Sequence, residues 1–593
     1  MTKVQFRVLL LVASCTLLAL LCLSSRLISL SKTSWPLFRG TWWHILPGSR
    51  SELALNDLSC SAYHRRDQNC SQLMDFCDFF CLLSKFGLIL AYFYICDRTQ
   101  LFHSINKGFS SSAFWSALLL LLFLGLLLSS RTKQLGINHV DITREWKGWM
   151  QLYILVYHYI DGYSVQVPYF LARWCVSAYL FLSGFGHFCY FWRRSTAFSE
   201  SDCSGYHNDW PTVHGSSFWI FMKRYIHVMF RMNFLVVALC LMMSRNYMMY
   251  YFVPLVSFWF TVVALVMAIY TKLSVLFPSW EAAESRPCLS AKSPTIGCAT
   301  KRSVNAARTK YCAMLVLFAI LWCCIELLHR VRQVFHVFFH TGLFGYLLTL
   351  DDRELDKVDA SISADNRSEG MWYFRWSLDR YSTLFGMCFG FLYELTHQAF
   401  GARSNQDVPK KTCHSVRVTT IPDNQAPTSA SVDAKHWFSR IPVILEAITT
   451  SVGIASLTIL LFYITKVDRT IAVQNHPYMC IFPILAYILA RNGFRYLRSW
   501  HSKFFAWFGD ISLELFVGQY HIWLAQDAHG LLVFVPGLKS LNLLLTTTTF
   551  VVVCHELHAL TGKLQTYIIP KTPDGLVSRG VVLCLLVVYF CFP

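Results

Sequence analysis

What most constrains this chain is a succession of apolar runs, many of them near twenty residues long, separated by polar stretches. A bilayer core about 30 Å thick needs about 20 apolar residues in helical form to cross it. Runs of this kind lie near 7–24, 79–96, 113–129, 148–163, 169–191, 228–243, 250–271, 311–328, 380–397, 442–464, 477–490, 504–525, 541–559 and 577–592. Of 593 residues, 55% are apolar and only 15% are charged, against roughly 25% charged in soluble domains. That balance excludes a soluble multidomain enzyme and a disordered chain. The expected fold is an all-α polytopic membrane protein of about 11–14 transmembrane helices. Residues 7–24 read as a signal anchor, since no small-residue cleavage site follows. Residues 333–349 are apolar but hold His336 and His340, which suggests a re-entrant or interfacial segment.

The charge that remains is biased, with 52 Lys and Arg against 34 Asp and Glu, a net +18. A nucleic-acid binder would gather such charge into one stripe. Here it is dispersed between apolar runs, so the expected partner is the lipid bilayer and not nucleic acid. The loops 272–310, 398–440 and 491–503 are basic, and the positive-inside rule places them in the cytoplasm. The first two read as flexible linkers inside a membrane domain that spans 79–593. The loop 351–370 is acidic and carries the sequon Asn366-Arg367-Ser368, both luminal traits. The segment 1–78 contains a second sequon at Asn69, and Cys60, Cys70, Cys77 and Cys81 cluster around it. Disulfides are expected there rather than a metal, and no metal is expected elsewhere. A luminal 25–78 conflicts with two crossings at 79–96 and 113–129 if residues 131–147 are cytoplasmic. Either one segment does not span or the sequon is unused.

Ionisable groups inside spans are costly and are site candidates by default. In "EWKGWMQLYILVYH", Lys147 and His158 are eleven positions apart. That is three helical turns plus about 20°, on one face, with an axial offset of about 16 Å. Lys147 and Arg144 at the cytoplasmic mouth suit an anionic donor, and His158 suits proton or acyl transfer. In "FFAWFGDISLELFVGQYHIWLAQDAHG", Glu514 and His521 are seven apart, again nearly one face, and His521 is expected at the depth of His158. Both sets also have bland readings, as a snorkelling lysine, a structural histidine and a packing network. In "MWYFRWSLDRY", Trp372 and Trp376 interleave with Arg375, Asp379 and Arg380. They read as an interfacial aromatic belt or as a sugar-binding mouth. Arg491 and Arg495 could clasp an anionic cofactor, although positive-inside retention explains them equally well. Gly184 and Gly186, flanking His187, suggest close helix packing.

Taken together, "EWKGWMQLYILVYH", "SAYLFLSGFGHFCYFW", "RMNFLVVALCLMMSRNYMMYYFVPLVSFWF", "FRWSLDRY" and "FFAWFGDISLELFVGQYHIWLAQDAHGLLVFVPG" resemble one family of membrane acyltransferase domains. Its members include animal sialate O-acetyltransferase, the fungal capsule O-acetyltransferase and the plant reduced-wall-acetylation proteins. The resemblance runs with gaps from about residue 92 to about residue 562. It implies transfer of acetyl groups from cytoplasmic acetyl-CoA to hydroxyls of luminal glycans, such as sialic acid, in the Golgi membrane. The Lys147–His158 pattern is also similar to that of bacterial membrane acyltransferases, in which the His is essential. On this reading His158, His521 and Glu514 are catalytic. Lys147, Arg144, Arg491 and Arg495 hold acetyl-CoA, and the 372–380 set meets the sugar. Animal relatives carry a luminal hydrolase-type domain after the first span. The 54 or so residues between 7–24 and 79–96 are too few for one. The chain is therefore expected either to follow the plant arrangement, acting directly or through a separate luminal transferase, or to be an incomplete form of a longer protein. Two other classes remain: a carrier of acetyl-CoA or acetyl groups without chemistry, and a non-catalytic membrane subunit.

Overall fold

A computed structural model describes residues 59–99, 101–132, 136–200, 217–245, 247–276, 296–341, 364–406, 429–526 and 528–570, with a few isolated positions besides. The run 577–592 and most of 7–24 lie outside the described residues, as does the acidic stretch 351–363. In chain order the helices are α1 Ser59–Arg98, α2 Ser111–Leu127, α3 Val140–Tyr159, α4 Gln166–Glu200, α5 Ser217–Met243, α6 Phe252–Leu276, α7 Ile296–Arg330, α8 Arg332–His340 and α9 Ala364–Leu378. They continue with α10 Ser382–Gln406, α11 Ser429–Lys466, α12 Arg469–Met479, α13 Ile481–Asn492, α14 Arg495–Arg498, α15 Lys503–Asp510, α16 Ser512–Ile522 and α17 Lys539–Ile568. The strands are short: β1 His103–Asn106, β2 Ser129–Arg131, β3 Trp500–Ser502, β4 Leu524–Ala525 and β5 Gly530–Val533.

The protein is an all-α polytopic membrane protein, with two minor sheets among the described residues. Six helical stretches among the described residues are long and apolar enough to cross a membrane: Cys77–Arg98, Trp219–Met243, Phe252–Leu273, Arg308–Arg330, Val443–Lys466 and Lys539–Ile568. Several other expected spans are helical but short, polar or interrupted. The run 113–129 becomes the 17-residue α2. The run 477–490 straddles α12 and α13, which meet at Cys480. Pro477 and Pro483 flank that junction, and each lacks the N–H that a continuous helix would use. The run 504–525 is not one helix either. It divides into α15 and α16 at Ile511 and then enters a hairpin. The intervals expected as linkers are partly helical, since α7 begins at Ile296 and α10 extends to Gln406. Cys77 and Cys81 carry free thiols on α1. Cβ atoms at i and i+4 lie about 5–6 Å apart, too far for a disulfide between them.

The chain falls into two compact units. The first comprises Met1–Asn106, Gly215–Tyr250 and Leu513–Pro593; the second comprises Lys107–His214 and Tyr251–Ser512. In the first unit α1, α5 and α17 pack on one another. Phe86 stacks on Phe234 at 5.0 Å, and Trp523 stacks on Phe550 at 5.3 Å. A small antiparallel sheet runs β1–β5–β4, with His103 opposite Val533 and Leu524 opposite Leu531.

In the second unit α3 packs on α15, α4 on α10 and α6, and α11 on α13. Strands β2 and β3 pair antiparallel, Ser129 opposite Ser502. The helix α3 starts with Asp141 in its first turn and ends with His158 in its last, both favourable to the helix dipole. Its core face includes Trp146, Met150, Tyr153 and Ile154, joined by Phe181 and Ile484.

Glycines make the helix crossings possible. A Cβ on Gly148 would run into the Phe505 carbonyl, and one on Gly509 would run into the Arg144 carbonyl. A second reciprocal pair joins α4 to α10, where Gly184 faces the Thr383 backbone and Gly386 faces the Phe181 backbone. Gly184 thus behaves as its sequence setting suggests, whereas a Cβ on Gly186 would meet nothing. Overpacking of this kind costs about 1–3 kcal/mol. Gly148→Ala and Gly386→Ala should each lower the unfolding midpoint of the detergent-solubilised chain by several degrees. Gly186→Ala should leave it unchanged. Equal midpoints for all three would refute the backbone-contact account.

Candidate functional site

Within the first unit, α16 places His521 and Glu514 in the interior, both fully buried. They do not serve each other. The acid partner of His521 is Asp97, whose Oδ2 lies 2.9 Å from Nδ1. The same carboxylate accepts a backbone hydrogen bond from Gln526 N at 2.9 Å through Oδ1. On the far side of the ring, Nε2 meets the hydroxyl of Tyr250, which is also fully buried. The arrangement is carboxylate, imidazole, hydroxyl. With Nδ1–H donated to Asp97, Nε2 is the basic nitrogen facing an O–H, the orientation a general base requires. The side chain of Asp97 is itself fully shielded from solvent, so its hydrogen bond to the ring is made away from water.

Glu514 belongs to a second network. Its Oε1 pairs with the Arg231 guanidinium at 2.5 Å, and its Oε2 lies 3.3 Å from His558 Nδ1. Arg231 also bonds Thr561 on α17. This network links α5, α16 and α17 and leaves Glu514 charge-compensated.

In the second unit, α3 carries Lys147 and His158. His158 is half-buried; its ring lies 5.3 Å from that of Tyr157, and its carbonyl accepts from Lys107 Nζ at 3.1 Å. The Lys147 carbonyl accepts from Tyr179 Oη at 2.6 Å. Arg144 is exposed and forks onto Asp510, with Nε 2.6 Å from Oδ1. Burial lowers the pKa of Lys147, and Asp510 only partly opposes that. At Glu446 two cations share one carboxylate, Arg495 at 3.4 Å and Arg498 at 3.8 Å. That group leaves an unbalanced positive charge that suits an anionic ligand.

Arg491 is engaged differently. Nε and Nη2 reach the two Glu145 oxygens at 2.9 and 3.0 Å. Nη1 donates to Leu497 O at 2.6 Å and Nη2 to Trp500 O at 2.7 Å. Glu145 also accepts from Ser502 N at 2.7 Å. Arg491 is thus a structural tie between α3, α13 and β3. A cavity of about 500 Å³ lies beside it, lined by Leu118, Leu122, Trp149 and Phe505 together with this ion pair. Just before α3, burial lowers the pKa of His139, whose Nε2 lies 3.1 Å from Arg498 O.

The 372–380 set lies largely inside the fold. Trp372 and Trp376 are buried, and Trp376 stacks on Phe258 at 4.7 Å. Their faces are taken by other rings and do not form an open sugar platform. Arg375 sits over Tyr251 at 4.1 Å, and Arg380 donates to Tyr478 Oη at 2.8 Å. Asp379 is fully buried, bonded by Ser177 and 3.4 Å from His476 Nε2. Ser177 Oγ is in turn 3.0 Å from that same nitrogen. Asn366 lies in the first turn of α9 and Asn69 lies within α1.

Asp97, Tyr250, His558, Glu145 and His476 are absent from the sequence-derived set. Asp97 had a visible signal, an acid closing an apolar helix in "YFYICDR". Glu145 opens the same segment that drew attention to Lys147. Nothing local marks the other three.

The 10 TM acyl transferase domain found in Cas1p matches residues 30–201, 205–286 and 293–580. The chain belongs to this family. It is 32% identical over 498 residues to N-acetylneuraminate (7)9-O-acetyltransferase of Danio rerio, covering 84% of this chain and 52% of the relative. The chain thus spans about half the length of that curated relative. No solved structure matches it. Family membership places the two networks of α16 and the charged end of α3 inside a membrane acyltransferase domain.

Breaking one partner of a largely buried pair costs about 3–5 kcal/mol, because the other charge is stranded. Glu145→Gln should therefore destabilise the solubilised chain by about that amount. The double variant Glu145→Gln with Arg491→Met should recover much of the loss. A double variant no better than the single would show that the pair does not act as a unit.

Proposed function

We propose that the chain is the membrane module of an O-acetyltransferase. It moves acetyl groups from cytoplasmic acetyl-CoA to hydroxyls of luminal glycans in the Golgi membrane, directly or through a separate luminal transferase. Sialic acid is the acceptor suggested by the relative's name. The observation that carries this reading is the buried Asp97–His521–Tyr250 chain inside a membrane acyltransferase domain.

The chemistry requires a base for the acceptor hydroxyl. Asp97 orients His521 and stabilises its charged form, leaving Nε2 to take a proton by way of the Tyr250 hydroxyl. The acceptor oxygen attacks the thioester carbonyl carbon, the C–S bond breaks, and the imidazolium returns its proton to the departing thiolate. In the second unit, the cations Lys147 and Arg144, with Arg495 and Arg498, supply positive charge for the donor's phosphates. His158 serves as an acetyl carrier or second base. Arg491 contributes by holding α3 and α13 in register. Glu514 acts through Arg231 and His558 to fix α16 and does not act on His521.

The interrupted helices α12–α13 and α15–α16 keep a carrier reading in view, since transporters use discontinuous helices at their binding sites. Purified chain in liposomes separates the two. With labelled acetyl-CoA outside, the enzyme cleaves the thioester and releases CoA, whereas a carrier accumulates the intact ester inside. Positioned acid–base groups contribute about 10²–10⁴-fold. His521→Ala and His158→Ala should therefore lower thioester cleavage by roughly a hundredfold or more, and Tyr250→Phe by about tenfold. Glycan O-acetylation in cells lacking the full-length homologue, read by mass spectrometry, should fall in parallel. Wild-type rates in folded His521→Ala would remove His521 from the mechanism.

A further inference from the structure

Apart from these networks, α8 and α9 bring two imidazoles and a carboxylate together. His336 and His340 are one turn apart on α8, so both project from one face, with ring centroids 4.4 Å apart. Glu369 on α9 is buried and presents Oε2 to both rings, 2.6 Å from His336 Nδ1 and 3.3 Å from His340 Nε2. All three potential ligand atoms lie within 4.8 Å of one another. We propose that His336, His340 and Glu369 form a binding site for a divalent transition-metal cation, zinc by chemistry, which clamps α8 to α9.

Two imidazole nitrogens and one carboxylate oxygen form a borderline donor set of the kind zinc takes, with a fourth position open to water. Bonds of about 2.0–2.2 Å in tetrahedral array separate ligand atoms by about 3.3 Å. The Glu369–His340 separation already has that value. His336 must retreat by about 0.7 Å to match it, and its side chain is 54% exposed, so it has room. The orientation of α8 is fixed by the neighbouring stripe, where Phe335 and Phe339, each one position before a histidine, are buried. Rotating the histidines away from Glu369 would expose those rings. The second carboxylate oxygen is occupied too: Arg332 Nε lies 3.6 Å from Oε1 and its guanidinium sits over Tyr373 at 4.7 Å. Glu369 would therefore bind through one oxygen, with Arg332 steadying the other, as outer groups steady metal-bound carboxylates. A shared proton is the competing occupant, because an imidazolium–carboxylate hydrogen bond would hold the same atoms together.

The full chain in detergent, stripped with a chelator, is titrated with zinc chloride against a chromophoric competitor, and bound metal is counted by mass spectrometry. Wild type should retain one equivalent more than His336→Ala, His340→Ala or Glu369→Gln. Each variant should bind at the remaining sites only, with a loss of roughly tenfold or more in affinity at this one. Zinc should also raise the unfolding midpoint of wild type and not of His336→Ala, whose exposed side chain makes misfolding a poor explanation. His336→Cys should keep the metal. Equal stoichiometry in wild type and folded variants would overturn the proposal, as would a midpoint that responds to pH but not to zinc.

Discussion

Interior charge is the constraint on which the rest of this structure depends. A lone charge in a low-dielectric interior costs several kcal/mol, so each must find an opposite or a hydrogen-bonding neighbour. Glu145 illustrates how much follows from one such group. Its two oxygens hold Arg491 from α13 and the backbone N–H of Ser502. Meeting these demands fixes the register of α3 against α13 and sets β3 where it can pair with β2. A cavity of about 500 Å³ lies beside the pair.

Glycine contacts and ion pairs prove to be one device. Lipid offers no hydrophobic drive for helix association, so close backbone approach must supply it. The α3–α15 crossing is closed by Gly148 and Gly509. Asp510 follows Gly509 directly, and the Arg144 carbonyl is what a Cβ on Gly509 would meet. The approach that the glycines allow therefore delivers Asp510 to the Arg144 guanidinium. It also sets the position of Lys147, which directly precedes Gly148. Packing and electrostatics at this end of α3 cannot be altered independently.

Much of the architecture was legible because it rests on local composition. The apolar runs mark most helices, and Gly184 marks a crossing. What escaped was partnership. Seven residues separate Glu514 from His521, and helical spacing suggested a pair. The fold instead gives His521 an acid 424 residues away and gives Glu514 an imidazole 44 residues on. Spacing within one helix reports which face a group lies on, and the partner is decided by whichever helix covers that face. The aromatic segment at 372–380 misled for a related reason. Trp and Arg interleaved with Asp look alike whether they line a mouth or a core. Only the arrival of Phe258, Ser177 and His476 distinguishes the two. Likewise Arg491 and Arg495 carry the same residue type four positions apart. One is spent on Glu145 and two carbonyls, whereas the other shares its acid with Arg498.

Burial sets the α16 network apart from the cations of α3. Arg144 and Arg495 are exposed. Asp97, His521 and Tyr250 are closed to solvent. Under the proposed acetyl transfer, with His521 as the base, that difference has a chemical consequence. A thioester beside a hydrated base is lost to hydrolysis, so the base must see the acceptor hydroxyl and not bulk water. The same dryness strengthens the Asp97–imidazole hydrogen bond, which fixes the orientation of the ring. The Tyr250 hydroxyl meets Nε2 of His521 while Asp97 meets Nδ1, so the ring is held from both sides.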